Sequence, residues 1–462
     1  MNVKTYQNET NNAIPNGLLS KVAKLAIPVA IQSALVAILA IADVLMVSDF
    51  GKEATASVGI ASKWQFVAVM IIAGMSSANG ILVAQYWGKN DRSSAKTITM
   101  LALHCGIKIL IPVTLIMTLF SSYLMMLQTS DTKVIELGAT YLWYSFPVLI
   151  LTHMISISES AMRSSGDTMT PLCLGTVTIF INIALNFWLI KGGFGVPAMG
   201  VAGAALATTL SRLLQVGLIF MVLYRRQHWL FTTTTLVLSR SKKLWHSYKK
   251  LVIPSTASAL VWACGTLTYQ IVFGQMGTTE LAVFSLLGPF ESLCYSLFFG
   301  LSVACSVLLG QAMGKDDFAQ AQQMSTFFIK IVLVVGVGTC LLLLQGQDQL
   351  LSWLHLSSDE LAPLASPALL VLCCALWLRM LNMLIINGIL RAGGDNLFCL
   401  RMDFISMWMV GVPLTAIAAF VLNWDFQYVY MMMLSEEIIK FSLCFSRYCK
   451  RHWLKNLTIV NA

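Results

Sequence analysis

Long apolar runs separated by short polar punctuation occupy almost the whole chain. Hydropathy places them at residues 25–48, 58–87, 97–122, 134–163, 169–190, 200–224, 251–274, 281–313, 323–345, 361–391, 398–422 and 427–447. About 20 apolar residues cross a ~30 Å hydrocarbon core as a helix, and the longer runs imply tilt or continuation into the interface. The pattern predicts an all-α membrane protein of twelve transmembrane helices with no sizeable soluble domain. Composition agrees: 57% of the 462 residues are hydrophobic and 11% charged, against about 25% charged in soluble proteins, and mean hydropathy is +0.75.

The net charge of +9 takes its meaning from placement. With twelve spans, the even-numbered loops and both termini share one side. That side holds most of the bases, among them Lys24, Lys89, Arg92, Arg163, Arg225, Arg226, Arg240, Lys315, Arg391 and Arg447, whereas the other shows little beyond Lys52, Lys133 and Lys191. Cytoplasmic loops carry such an excess of Lys and Arg, so both termini are expected in the cytoplasm and no nucleic-acid partner is implied. The polar N-terminus lacks the pattern of a signal peptide. The eleven cysteines lie scattered in apolar spans without a Cys-x-x-Cys pair or Cys/His cluster; they read as small core hydrophobes, and no metal is expected.

The longest loop divides the spans six and six, and repeats are sought across such a divide. KLAIP at 24–28 returns as KLVIP at 250–254, a shift of 226 that also brings Gly51 onto Gly277, Gly74 onto Gly300 and AQYWGKND at 84–91 onto GQAMGKDD at 310–317. RSSGD at 163–167 returns as RAGGD at 391–395, a shift of 228. The expected organisation is a cytoplasmic segment 1–24, an N-lobe 25–224, an inter-lobe linker 225–250, a C-lobe 251–447 and a cytoplasmic tail 448–462. Transporters built from parallel repeats place their substrate between the halves and alternate access by rocking.

Polar residues inside spans then mark candidate chemistry, because an intramembrane charge is costly and normally faces a cavity or a partner. Asp43 lies fifteen residues beyond Pro28 on span one, about 23 Å along the helix. Asn182 and Asn186 stand at a similar depth on span five, and their spacing of four puts them on one face. These three form the candidate cation or proton site, and Pro28 the hinge. Polar residues that merely join helices are the alternative for the asparagines.

In the C-lobe, Glu291 on span eight and Arg379 on span ten are expected to pair, either as a structural ion pair or as a second protonation or substrate contact. Lys108, Arg212, Lys330 and Lys440 read as snorkelling or interhelical charges, and His104 and His153 as ordinary polar contacts. Asp403, Glu436 and Glu437 read as partners for cytoplasmic-side bases. Among many methionines and aromatics, Tyr141, Trp262, Tyr269 and Met383, with Glu291, are candidates for an adaptable substrate cleft, in which rings and an acid suit a lipophilic cation.

The paired proline and aspartate, the VAQYWGKND and GQAMGKDD junctions, the RSSGD and RAGGD junctions and the ending through SEEIIKF to RHWLKNLT resemble a MATE (multidrug and toxic compound extrusion) transporter over essentially the whole chain. The resemblance implies two pseudo-symmetric six-helix lobes and an N-lobe cation site. Asp43 and Asn182 match that site, Asn186 occupies the place of its second acid, and Tyr141 matches a tyrosine on span four. The NorM-type acids on spans seven and ten are replaced by Trp262 and Met380.

The function expected is a secondary multidrug antiporter of a bacterial cytoplasmic membrane. It would act as a monomer and export amphipathic, often cationic drugs in exchange for H+. Sodium coupling and a lipid or amphiphile flippase of the same superfamily are the alternatives. No GxxxxGK[ST] loop is present to drive transport with ATP, and no HExxH or paired-acid motif points to an enzyme.

Overall fold

The computed structural model describes residues 17–48, 50–193, 195–231, 242–353 and 361–459. Residues 1–16 of the expected N-terminal segment, 232–241 of the linker with Arg240, and 460–462 of the tail lie outside the described residues.

The described residues are mainly helical. Its helices are α1 (Leu18–Ser48), α2 (Lys52–Gly88), α3 (Arg92–Leu119), α4 (Ser121–Met126), α5 (Thr132–Tyr144), α6 (Val148–Ser164), α7 (Met169–Lys191), α8 (Gly200–Arg225), α9 (Lys242–Met276), α10 (Thr278–Gly314), α11 (Phe318–Gln345), α12 (Gln347–Trp353), α13 (Ala362–Met383), α14 (Asn396–Phe404), α15 (Val412–Phe420) and α16 (Phe426–Cys449). Among the described residues ten spans are long and apolar enough to cross a membrane, and an eleventh is made by α5 and α6, bent by 48°. The bend replaces the single run expected at 134–163, and Pro147 stands at it as the residue preceding α6, where a missing N–H and a fixed φ break an α-helical ladder. The twelfth, α16, has membrane length but carries Glu436, Glu437 and Lys440. Large apolar side chains such as Val334 (74% exposed) and Leu342 (70%) face outward, as a lipid-solvated surface requires.

Spans ten and eleven each change winding midway. A π-helical stretch Leu384–Leu390 and a 3-10 turn Arg391–Gly393 follow α13, and a second π-helical stretch, Ile405–Gly411, joins α14 to α15. Insertions of this kind concentrate at functional sites.

The repeated junctions are helix stops. Gly166 and Gly394 have φ of 97° and 78°, and Asn90 and Asp316 both have φ of 62°. These left-handed positions favour Gly, Asn and Asp, which is why GKND and GKDD, and RSSGD and RAGGD, recur.

The helices form two compact units. The N-terminal unit comprises Ile31–Val83 and Arg92–Ala263; the C-terminal unit comprises the described residues of Met1–Ala30, Ala84–Asp91 and Cys264–Ala462. These units follow packing rather than the repeats of the chain, and the division crosses α1 two residues after Pro28. Within the N-terminal unit, a Cβ on Gly74 would overlap the backbone of Thr256 on α9; within the C-terminal unit, one on Gly300 would overlap Ala26 on α1 and lie 2.8 Å from Ala30 Cβ. The repeat shift of 226 relates both members of these pairs. Gly88 and Gly314 repeat the device in the C-terminal unit, each facing the backbone of Gln311 or Gln85 on the opposite helix. Lipid tails give no hydrophobic drive between helices, so such close backbone approach supplies the packing.

Gln85 also anchors the tail: its Nε2 donates to Ala392 O at 2.8 Å and Lys455 O at 3.2 Å, and its Oε1 accepts from Leu457 N at 2.6 Å. Five cysteines are buried, two half-buried and four exposed. The reading of all eleven as core residues is therefore corrected: helices solvated by lipid tolerate a thiol on their outer face as well.

Gly88→Val is expected to lower the thermal midpoint of the detergent-solubilised protein through overpacking of about 1–3 kcal/mol. Gly217→Ala, where an added Cβ meets nothing within 4 Å, is the neutral control. Equal midpoints for the two variants would show that the crossing is not close-packed.

Candidate functional site

Asn182 and Asn186 lie one turn apart on α7, and α8 comes close enough to reach them because Gly203 leaves only 2.5 Å between an ideal Cβ and Leu189 O. Both amides are buried, at 3% and 1% exposure. Asn186 Nδ2 donates to Asp43 Oδ1 at 2.6 Å and to Asn182 Oδ1 at 3.1 Å; Asn182 Nδ2 donates to Ser211 Oγ on α8 at 2.9 Å. The three expected residues thus meet in one hydrogen-bonded row across α1, α7 and α8. Asn186 Oδ1 is buried with no hydrogen-bond partner. Tyr141 on α5 packs beside this site against Val47, Val58 and Val201, its hydroxyl bonded to Ser62.

A second polar row in the same unit was not read from the sequence. Glu159 on α6 accepts from Gln32 Nε2 at 3.1 Å, from Gln215 Nε2 at 3.2 Å and from Arg163 Nη1 at 3.2 Å. Arg212 donates to Gln215 Oε1 at 3.2 Å and lies within electrostatic range of both Asp43 and Glu159. Arg212 is therefore an interhelical charge between two acids, and Arg163 is an ion-pair partner inside the unit. The available signal was the spacing of Glu159 and Arg163, which at i and i+4 share a helix face.

The C-terminal unit holds a larger ionic cluster. Arg379 Nη1 contacts Glu291 Oε1, so the expected pair forms, and Arg379 Nε lies 3.3 Å from Glu437 Oε1. Both contacts are ionic, without linear hydrogen-bond geometry at the guanidinium. Lys440 Nζ lies 3.6 Å from Glu436 Oε1 and 3.9 Å from Glu437 Oε1. Tyr269 on α9 donates to Glu436 Oε2 at 2.7 Å, and Asn382 Nδ2 donates to Glu437 Oε2 at 2.7 Å. The guanidinium of Arg379 also stands 5.5 Å from the Tyr295 ring centre.

This corrects two expectations. Glu436 and Glu437 do not serve cytoplasmic-side bases, and Lys440 does not snorkel: the three are 5%, 4% and 7% exposed because α16 turns all of them inward. Asp403 does pair with Arg391, one of the bases expected on the cytoplasmic side, at 3.6 Å.

The remaining candidates are distributed between the units. Trp262 is 42% exposed in the N-terminal unit, its ring 6.3 Å from Phe66. Met383 is packed into the C-terminal core together with Met380. His153 reaches Leu103 O at 3.3 Å over Gly106, an ordinary interhelical contact. Among the described residues no group of three or more His, Cys, Asp or Glu is placed to hold a metal ion.

Known proteins share this arrangement of helices. The MatE family model matches residues 28–188 and 254–417. "Probable multidrug resistance protein NorM" of Thermotoga maritima is 22% identical over 446 residues, covering 94% of this chain and 93% of the relative. "Probable multidrug resistance protein YoeA" of Bacillus subtilis is 25% identical over 380 residues, covering 81% and 80%. Among solved structures, a Vibrio cholerae MATE transporter, VcmN, superposes with a TM-score of 0.86 at 18% identity, covering 95% of this chain and 98% of that one. Two matched segments that together span both repeats and more than half of the residues establish that this chain, a multi-pass membrane transporter with the twelve-helix MATE fold, belongs to the MatE family.

Proposed function

We propose that the protein exports amphipathic, mainly cationic compounds from the cytoplasm of a bacterial cell, exchanging them for protons by alternating access of two lobes, with Asp43 as the coupling group. Its relatives' names supply the multidrug substrate class. The observation that carries the choice of ion is the pairing of Asp43 with the amide N–H of Asn186. Sodium prefers several oxygen ligands, yet Asn186 presents a donor to Asp43 and Asn182 Oδ1 is taken by Asn186, so of the two amide oxygens in the row only Asn186 Oδ1 is open. Arg212 within electrostatic range adds a positive charge that repels a second cation. A proton needs only the carboxylate. Its binding removes a charge from a low-dielectric interior, and its release restores a partner for a cationic drug. Both termini lie in the cytoplasm in this reading, and the protein works as a monomer.

Pro28 is the hinge in this cycle. It offers no N–H to the carbonyl one turn earlier, and the division between the packing units follows it by two residues, so a bend there falls beside the boundary of the units.

Asp43→Asn should reduce extrusion of a fluorescent lipophilic cation to the level of cells without the transporter. It should leave the protein folded in the membrane with a somewhat lower thermal midpoint, since Arg212 then keeps only one of the two acids within its range. Wild-type extrusion by that variant would remove Asp43 from the mechanism. In proteoliposomes at fixed internal pH, an outside-acid gradient should drive efflux in the wild type and a sodium gradient without a pH difference should not; Asn186→Asp, which adds a second carboxylate, should gain sodium dependence. Efflux that follows sodium alone in the wild type would reverse the assignment of the ion. Pro28→Ala should slow transport while preserving the fold, and an unchanged rate would count against the hinge.

A further inference from the structure

Glu291, Glu436 and Glu437 supply three carboxylates to the cluster in the C-terminal unit, and Arg379 and Lys440 supply two bases. The groups facing Glu436 from the surrounding helices are Tyr269 on α9, Glu291 on α10, Arg379 on α13, and Glu437 and Lys440 on its own helix. Tyr295 on α10 lies against Arg379. Asp403 feels Lys440 but is matched by Arg391 at 3.6 Å. One negative charge is therefore left without a base in an interior where uncompensated charge is strongly penalised.

Geometry identifies the surplus acid. Glu437 is held by Arg379, Asn382 and Lys440, and Glu291 by Arg379. Glu436 has only a share in Lys440, at 3.6 Å, and the Tyr269 hydroxyl. Room for that hydroxyl is built into the fold: a Cβ on Gly411, the last residue of the second π-helical stretch, would overlap Tyr269 Oη and lie 2.8 Å from Glu436 Oε2. On the α13 side, Asn382 is 2% exposed and its Oδ1 is buried with no hydrogen-bond partner, leaving an open acceptor on the amide that holds Glu437.

The repeats add an independent argument. At the shift of 226 Asp43 falls on Tyr269, and at the shift of 228 Arg212 falls on Lys440. Both units thus set a polar group on the first helix of a repeat and a base on its last. In the N-terminal unit the first helix carries the acid; in the C-terminal unit the acid has moved beside the base, as Glu436, and the first helix contributes the phenol that binds it.

We propose that this cluster is a second proton-binding site, with Glu436 as the group that takes up and releases the proton. The charge count stands apart from the role given to Asp43, and the proton enters the transport cycle if the proton-coupled reading above holds.

The test is infrared difference spectroscopy of the purified full-length protein across a pH titration, following the carbonyl stretch of protonated carboxyl groups in an Asp43→Asn background. One buried carboxyl band is expected to remain there, to disappear when Glu436→Gln is added, and to return when Lys440→Met is added as well, because that third change again leaves one acid without a base. A band indifferent to Glu436→Gln, or none in the Asp43→Asn background, would overturn the proposal. If Glu436→Gln fails to fold, Lys440→Met in the Asp43→Asn background should show two bands, and a single unchanged one would refute the charge count. The contribution of Asp43 is read separately, as the band lost between wild type and Asp43→Asn, so failure at either site leaves the other decided on its own data.

Discussion

A charge inside a membrane protein has to be neutralised by the protein itself, and this constraint organises everything polar in the structure. The N-terminal unit answers it with two acids, Asp43 and Glu159, against two bases, Arg163 and Arg212. Amides of Gln32, Gln215, Asn182 and Asn186 fill the gaps. A balanced set of this kind holds together with Asp43 ionised, and neutralising Asp43 releases Arg212 from one of its two acids. Asp43, the coupling group in the proposed reading, is thus tied through Arg212 to α6 and α8. A local change of charge becomes a change in how helices are held, the kind of bistable electrostatics on which ligand-driven switches depend.

Packing carries a second constraint. Within each unit the helices have no solvent-driven core to squeeze them together, so contact at the backbone replaces it. Gly74 and Gly300 do this at equivalent depths of α2 and α10, and Gly88 and Gly314 do it where those helices end. The glycines occur in pairs because the chain is a repeat, and each pair fixes a crossing that neither a larger residue nor a shifted register would permit. The parts that cannot be altered without loss are therefore these crossings. The outward faces are held only by lipid.

Much of this was legible in the sequence. Apolar length defined the spans, and the shifted motifs defined the repeat. The depth of Asp43, Asn182 and Asn186 correctly brought them together, because three helices of one unit that share a depth have few other places to put polar groups. What was not legible was radial direction. Glu436, Glu437 and Lys440 look like an interfacial cluster when counted along α16, and only the packing of α16 beside α13 turns them inward toward Arg379. Glu159 lies in the run 134–163 one turn before Arg163, and only the packing of α6 against Gln32 and Gln215 shows that this face points inward. The π-helical stretches have no compositional signature at all: LIINGIL and ISMWMVG are ordinary apolar sequence, and their winding is a product of what they pack against.

The comparison of the two halves also shows what a repeat preserves and what it does not. Helix crossings and turn residues survive at the same register, since backbone geometry demands them in both copies. The acids do not, since a buried carboxylate is constrained by its partners rather than by its position. Asp43 is held mainly by the neutral donor of Asn186, whereas Glu436 is held by a phenol and half of a lysine. In the reading proposed above, where both acids bind protons, such different surroundings give them different affinities, and one half then changes charge before the other as the gradient acts.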